Sequence, residues 1–311
     1  MRLAIAGEAL IDFTSVGGLS FEGREGGAPA NVAIAAARMG QPTGFISQLS
    51  SDLFGQRLLA HLRKNGVDTR FVLECDAPST LAFVERLPQS NRYAFYTHGT
   101  ADTLWAPDPL PTLPESCRYL QFGSIALLHQ PASGRILDLV EAARGQRVVV
   151  FDPNVRPTLI RDLDAWREQF RRWVAMCDLL KLSDEDAALI APGTSFVDLA
   201  ADLLTRGPKA VVVTRGAEGA SLFCPNQPRM DVRTPAMQVA DTIGAGDTFA
   251  AGLSVALLEQ RVEHAAQFGA LDENQWRAVL RFAATAAALN CTREGADPPW
   301  RKELDEALSQ P

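Results

Sequence analysis

Asp241-Thr242-Ile243-Gly244-Ala245-Gly246-Asp247-Thr248 places a paired-glycine turn and a carboxylate at the mouth of an apolar helix. Gly244 and Gly246 permit close backbone approach, and the run Thr248 to Leu258 reads as a buried helix whose unpaired N-terminal N–H groups face outward. Phosphate is the natural guest of such a helix mouth. A fixed negative charge beside an anion is unfavourable unless its proton affinity is used, so Asp247 reads as a general base. Taken as structure alone, the same turn is a glycine-permitted loop with Asp247 capping the helix, since aspartate is a favoured N-cap.

The elements that must position this turn follow from apolar runs. Leu3–Ala6, Val148–Phe151 and Ala210–Val213 read as strands buried on both faces, which with intervening helices predicts a parallel α/β sheet. Polar residues follow each run: Glu8 and Asp12, then Asp152-Pro-Asn-Val-Arg156, then Thr214-Arg-Gly216. All are expected at carboxyl ends of strands, where open α/β sheets bind ligands. Ala30–Met39 reads as a helix stopped by Gly40 and Pro42, and Trp276–Leu289 as an alanine-rich helix packed closely on its neighbours. Thr80–Leu87 and Arg92–Tyr96, joined by Pro88-Gln-Ser-Asn91, read as a β-hairpin. Such a hairpin can cover the site and exclude water, and its outer face can pair with a second subunit. The expectation is one main domain over 1–311 with a discontinuous β lid at about 12–25 and 78–100.

With 311 residues, 47% hydrophobic and 22% charged, the chain has a globular composition. Its start is too short in apolar residues for a signal peptide and no run approaches a membrane span, so a cytoplasmic protein is expected. Cys75, Cys117, Cys177, Cys224 and Cys291 are odd in number and lack Cys-x-x-Cys spacing, which indicates neither a disulfide framework nor a zinc site. Asn290-Cys291-Thr292 matches a glycosylation sequon inside a helical pattern, and chance is the better reading. A net charge of −7 argues against a nucleic-acid partner and requires local donors for any polyanionic ligand. The chain has no Walker A sequence, so nucleotide phosphates need another cradle.

The Gly244–Asp247 turn stands with Gly26-Gly-Ala-Pro-Ala-Asn31, and together they closely resemble the two signatures of the ribokinase-like (PfkB) sugar kinases. The resemblance covers nearly the whole chain and is nearest to bacterial and plant fructokinases, through Gly7–Asp12, Phe122–Ser124, Phe151–Arg156, Leu180–Ser183, Val213–Gly219 and Thr292–Ala296. It implies a ribokinase-like α/β fold, a central mostly parallel β-sheet flanked by helices with a small β lid. It also implies ATP- and magnesium-dependent phosphorylation of a sugar's primary hydroxyl, with fructose 6-phosphate as the expected product. A 2-keto-3-deoxygluconate kinase or another ketose or pentose kinase is the neighbouring reading. A silent sugar- or nucleoside-binding regulator on the same fold is the reading from another class, disfavoured by retention of Asp247 with its turn.

Matched residue by residue, the resemblance makes Asp247 the base and the backbone N–H groups of Gly244, Ala245, Gly246 and Asp247 the anion hole. Asp12, Gly26, Gly27 and Asn31 match sugar-holding positions, and Arg156 lies where an arginine approaches substrate and γ-phosphate. Thr214, Gly216 and Gly219 match the nucleotide loop, Lys181 a nucleotide-side strand end, and Ala284–Cys291 the adenine pocket. Asp241 and the backbone of Ile243 match a loop that often holds a monovalent cation, making potassium activation plausible. The chain departs from the pattern at Ser183-Asp-Glu-Asp186, where Asp186 replaces a glutamate and orders magnesium-bound water with shorter reach. The same acidic run also suits a helix start. Thr97 stands where fructokinases and 2-keto-3-deoxygluconate kinases often carry arginine, and loss of a cation that could pair with a substrate carboxylate favours a neutral sugar, although His98 or Arg156 could compensate. The exposed lid edge makes a homodimer the expected assembly.

Overall fold

The computed structural model describes residues 1–86 and 91–309. Strands run Leu3–Ala6 (β1), Leu10–Gly17 (β2), Ser20–Gly26 (β3), Thr43–Ser50 (β4), Asp68–Cys75 (β5), Thr80–Arg86 (β6), Asn91–Tyr96 (β7), Tyr119–Gly123 (β8), Val148–Asp152 (β9), Leu179–Ser183 (β10), Ala210–Thr214 (β11), Ala220–Phe223 (β12) and Met230–Val232 (β13). Helices run Ala28–Arg38 (α1), Leu53–Lys64 (α2), Ala132–Ala143 (α3), Leu163–Val174 (α4), Asp184–Ile190 (α5), Phe196–Leu204 (α6), Ala245–Glu259 (α7), Glu273–Asn290 (α8) and Arg301–Leu308 (α9).

Continuous apolar strands fix the large sheet. Among the described residues it has nine strands, ordered β13-β12-β11-β10-β9-β8-β1-β4-β5, parallel from β11 to β5 with β12 and β13 antiparallel at one edge. Strand β1 lies between β4 and β8, so chain order reverses beside it and opens a crevice at the carboxyl ends. One face packs against α1, α7 and α8, the other against α3, α4 and α6. Alanines and Gly252 let α7 and α8 approach closely: a Cβ at 252 would lie 2.7 Å from the Ala283 Cα.

A smaller sheet, β3-β2-β6-β7, stands apart from it. Strict alternation sorts its two faces. Phe13, Phe21, Phe83 and Tyr96 form one aromatic face. The opposite row pairs Asp12 with Arg24 and Ala82, and Leu10, Ala82 and Phe95 pack there against Ile125, Leu128 and Leu159 of the main body.

The mostly parallel α/β sheet and the hairpin of β6 and β7 match expectation; residues 87–90, the expected connection, lie outside the described residues. Two details differ. Asp12 does not follow β1 in a loop at the large sheet's edge but sits inside β2, because Gly7–Ala9 ends one strand and the apolar/polar alternation of Leu10–Thr14 starts another. Helix α7 begins at Ala245 rather than Thr248, with Gly244 as N-cap in the left-handed region at φ 74°. Among the described residues, no helix is long and apolar enough to cross a membrane.

Close helix packing makes position 252 sensitive to volume. Gly252→Val should lower the urea unfolding free energy by about 1–3 kcal/mol, the usual cost of overpacking. Gly269→Ala, whose new methyl meets open space, should leave it unchanged.

Candidate active site

Three chain segments converge where the crevice opens. Asp247 lies in the first turn of α7, whose N-cap is Gly244. Asn31 Nδ2, from the first turns of α1, donates to Asp247 Oδ2 at 2.9 Å. The N-cap position itself belongs to Gly244, and the Asp247 carboxylate is engaged across the crevice. Enclosure by protein raises the Asp247 carboxyl above its ordinary range, while the Asn31 bond and the charges of Lys181 and Arg156 pull it back.

Gly26 and Gly27 earn their places by contact. A Cβ on Gly26 would lie 2.2 Å from Asp12 Oδ2, so that carboxylate lies across the glycine. At Gly27, φ is 99° and a Cβ would strike Ala9 and the Glu8 carbonyl. Burial raises Asp12 to about 6, opposed by Arg156 and reinforced by the negative charge of Asp247. Arg156 is therefore the shared counter-charge of both carboxylates; its Nη1 also donates to the Val155 carbonyl at 3.2 Å.

Beneath the turn lies a buried ion pair. Lys181 Nζ, on β10, reaches Asp152 Oδ2 at the end of β9 at 2.9 Å. Burial lifts Asp152 to about 6 against the pull of Lys181; burial lowers Lys181, but Asp152, Asp186 and Asp247 hold it above its ordinary value. Both directions leave the pair ionised at neutral pH. A Cβ on Gly246 would come 3.2 Å from Lys181 Nζ, so the ammonium touches the underside of the turn. Lys181 thus sits under the turn, on the strand that pairs with the one leading into the Thr214–Gly219 loop.

At the anion turn, the N–H groups of Gly246 and Asp247 belong to a first helical turn with no preceding turn to receive them. Ala245 differs from expectation, since its N–H donates back to the Thr242 carbonyl at 3.2 Å. Asp186 is also more engaged than expected: its oxygens accept the N–H groups of Val155 and Ser183, both at 2.9 Å. It closes a capping box at the start of α5 and steadies the residue before Arg156. Among the described residues no cluster of three His, Cys, Asp or Glu side chains is arranged for a metal. Asp241 accepts from Ile243 N and Gly295 N, both at 3.1 Å, and Ile243's carbonyl accepts Asn290 Nδ2. The expected cation loop is thus tied by protein donors.

Thr214 ends β11, two strands from β9, and the loop that follows returns through Arg215 N to the Gly219 carbonyl at 2.7 Å. Gly216 is at φ 51° facing open space, whereas Gly219 passes under the Val232 carbonyl. Sequence reasoning missed the Lys181–Asp152 pair and the burial of Asn290; a polar side chain ending a run of alanines was the available signal for the second.

A model of pfkB family carbohydrate kinases matches residues 2–303. Fructokinase from Rhizobium leguminosarum bv. trifolii is 37% identical over 87% of this chain and 84% of its own. Fructokinase of Xylella fastidiosa with bound ATP superposes with a TM-score of 0.90 at 26% identity, covering 99% of this chain and 98% of that one. A double mutant of fructokinase from Vibrio cholerae O395, in a form bound to fructose, ADP and potassium ion, gives 0.87 at 25% identity over 99% and 98%.

Gly26→Ala keeps an allowed backbone but displaces the Asp12 carboxylate. Calorimetric affinity for a hydroxylated ligand of this site should fall about tenfold or more, the scale of one lost hydrogen bond to a charged group, with little change in melting temperature. Unchanged affinity would separate Asp12 from the binding site.

Proposed function

The chain belongs to the pfkB family of carbohydrate kinases, and from that premise we propose that it transfers the γ-phosphoryl group of ATP to the primary hydroxyl of fructose, yielding fructose 6-phosphate. The observation that carries this reading is the 2.9 Å bond from Asn31 to Asp247 beside the open N–H end of α7. It joins a hydroxyl-binding amide, a base and an anion site in one place. Support for fructose comes from the relatives' own ligand and activity and from Thr97, which leaves no cation at that position to pair with a substrate carboxylate.

In this reaction Asp247 takes the proton as the sugar oxygen attacks the γ-phosphorus and the bond to the β-phosphate oxygen breaks. The N–H groups of Gly244, Gly246 and Asp247 receive charge on the transferring group, with Ala245 joining by releasing its long bond to Thr242. Asp12, Gly26, Gly27 and Asn31 orient the sugar, and Arg156 neutralises charge between substrate and phosphate. Thr214, Gly216 and Gly219 hold the nucleotide, and Lys181 supports its phosphate end from below. Asp186, whose oxygens accept two backbone N–H groups, would retain lone pairs for a water of a magnesium ion carried on the phosphates, which would supply further charge neutralisation. A potassium ion at Asp241 and Ile243 would share oxygens that already bind backbone and Asn290 donors.

The small sheet is read as a lid whose body-facing row closes over the sugar. Val16, Leu19, Tyr93 and Tyr96 leave large apolar surface exposed on it, which supports a homodimer through this sheet. Light scattering should return twice the 33.7 kDa chain mass; the monomer mass would refute it.

Coupled ADP release with ATP and magnesium should be fastest with fructose among fructose, ribose, 2-keto-3-deoxygluconate and adenosine. Turnover only with the acid sugar would replace the substrate, and tight sugar binding without transfer would favour a regulator. Activity needs Asp12 and Asp247 as carboxylates, so kcat/KM should fall as pH drops through about 6, where Asp12 takes up its proton, with Asp247 displaced upward in the same direction. Asn31→Ala removes a bond that favours charged Asp247 and should move the Asp247 contribution to the acid limb to higher pH. An acid limb near pH 4 in both proteins, the ordinary carboxylate range, would contradict the assignment.

A further inference from the structure

Helix α8 ends its alanine-rich run with Asn290, which is 0% exposed. A buried amide is costly unless its donors and acceptor are met. Both ends are met, and both partners flank the anion turn. Nδ2 donates to the Ile243 carbonyl at 2.7 Å, and Oδ1 accepts the Thr248 hydroxyl at 3.3 Å. These partners lie immediately before and immediately after Gly244–Asp247, so one rigid amide brackets the turn. Gly244 is seated in the same place: a Cβ there would lie 2.6 Å from Ala296 Cβ and 3.6 Å from Asn290 Oδ1. The next residues complete the support, as Cys291's carbonyl accepts the N–H groups of Ala240 and Asp241 and Gly295 N donates to Asp241.

We propose that Asn290 is a positioning residue for phosphoryl transfer, holding the Gly244–Asp247 turn through Ile243 and Thr248 so that its donors and the Asp247 base meet the transferring group in register. The inference rests on the kinase reading above but not on which sugar is the acceptor. It also gives the sequon a structural reading, because the amide that glycosylation would need is enclosed and already bonded. Donors of an anion hole act on charge that develops only in the transition state. A turn loosened by a fraction of an ångström therefore loses rate, while ground-state binding, made elsewhere by Asp12, Gly26 and the nucleotide loop, persists.

Two readouts on Asn290→Ala, Asn290→Asp and Thr248→Val test this. In steady-state kinetics with the sugar that wild type turns over, Asn290→Ala should lower kcat by about 10- to 100-fold, the scale of a misplaced catalytic group. KM for sugar and ATP should stay within about threefold, the mark of an interaction expressed in the transition state. Asn290→Asp keeps an acceptor for Thr248 but faces Ile243's carbonyl with another oxygen, so it should fall at least as far. Thr248→Val removes a single bond and should lose several-fold; combined with Asn290→Ala it should cost little more, because the two share one link. Hydrogen exchange supplies a readout that needs no substrate. The amides of Ala245 and Thr248, bonded to Thr242 and Gly244 carbonyls, should exchange faster in Asn290→Ala, with β1, β9 and the body of α8 unchanged. A wild type inert with every sugar would defeat the kinase reading, and exchange would still judge Asn290. Should Asn290→Ala fail to fold, Thr248→Val decides alone by the same readouts. Unchanged kcat with unchanged exchange at the turn, or exchange accelerated uniformly through the molecule, would overturn the proposal.

Discussion

Keeping the Asp247 carboxylate charged inside protein, beside a place built for anions, requires compensating partners, and they come from distant parts of the chain. Asn31 supplies an amide, Arg156 and Lys181 supply positive charge, and Asp152 in turn keeps Lys181 charged. A hydrogen bond to an ionised group contributes about 1.5–3 kcal/mol, which offsets part of the pull of burial. Removing any one of these partners leaves the others unbalanced, because negative charge is crowded here: Asp247 raises the proton affinity of both Asp12 and Asp152, and Asp186 adds to that of Asp152. Such crowding disfavours folding in isolation and is useful only where protons or phosphates must be handled.

The sheet makes this convergence possible. Reversal of strand order beside β1 lets the loops after β1 and β8 part, while α1 and α7 bring their N-terminal turns to the same opening. The two helices pack directly on the apolar face of the sheet, so the 2.9 Å contact between Asn31 and Asp247 is set by core packing rather than by flexible loops. The α7–α8 contact at Gly252 and Ala283 extends the same logic, carrying Asn290 to the back of the turn. Asp12 is different, since it rides on the small sheet and reaches the site only as that sheet lies over the body through Leu10, Ala82 and Ile125.

Much of this was legible in the sequence because it depends on local chemistry. Fully apolar strands declared a parallel sheet, and glycine pairs before apolar helices marked both signatures at 26–31 and 244–247. The boundary of α7 was misplaced because Gly244 in the left-handed region can start a helix that its alanine and second glycine continue. Asp12, expected at the end of β1 where the lid begins, lies inside β2 because the chain breaks at Gly7–Ala9 and resumes as a strand at Leu10. Contacts across long sequence separations were not legible at all. Nothing local tells that Asp186 is held by Val155, that Lys181 meets Asp152, or that a sequon asparagine serves the anion turn.

The central claim is that Asp247 removes the hydroxyl proton during transfer. Rapid-quench single turnover, with ATP prebound and sugar in excess, measures that step without product release and compares wild type with Asp247→Asn, which retains the shape and a hydrogen bond to Asn31. The account predicts a chemical step slower by about 10²–10⁴ with nucleotide and sugar affinities little changed. A chemical step of wild-type speed in Asp247→Asn would contradict it, and would reduce Asp247 to a structural residue of the anion turn.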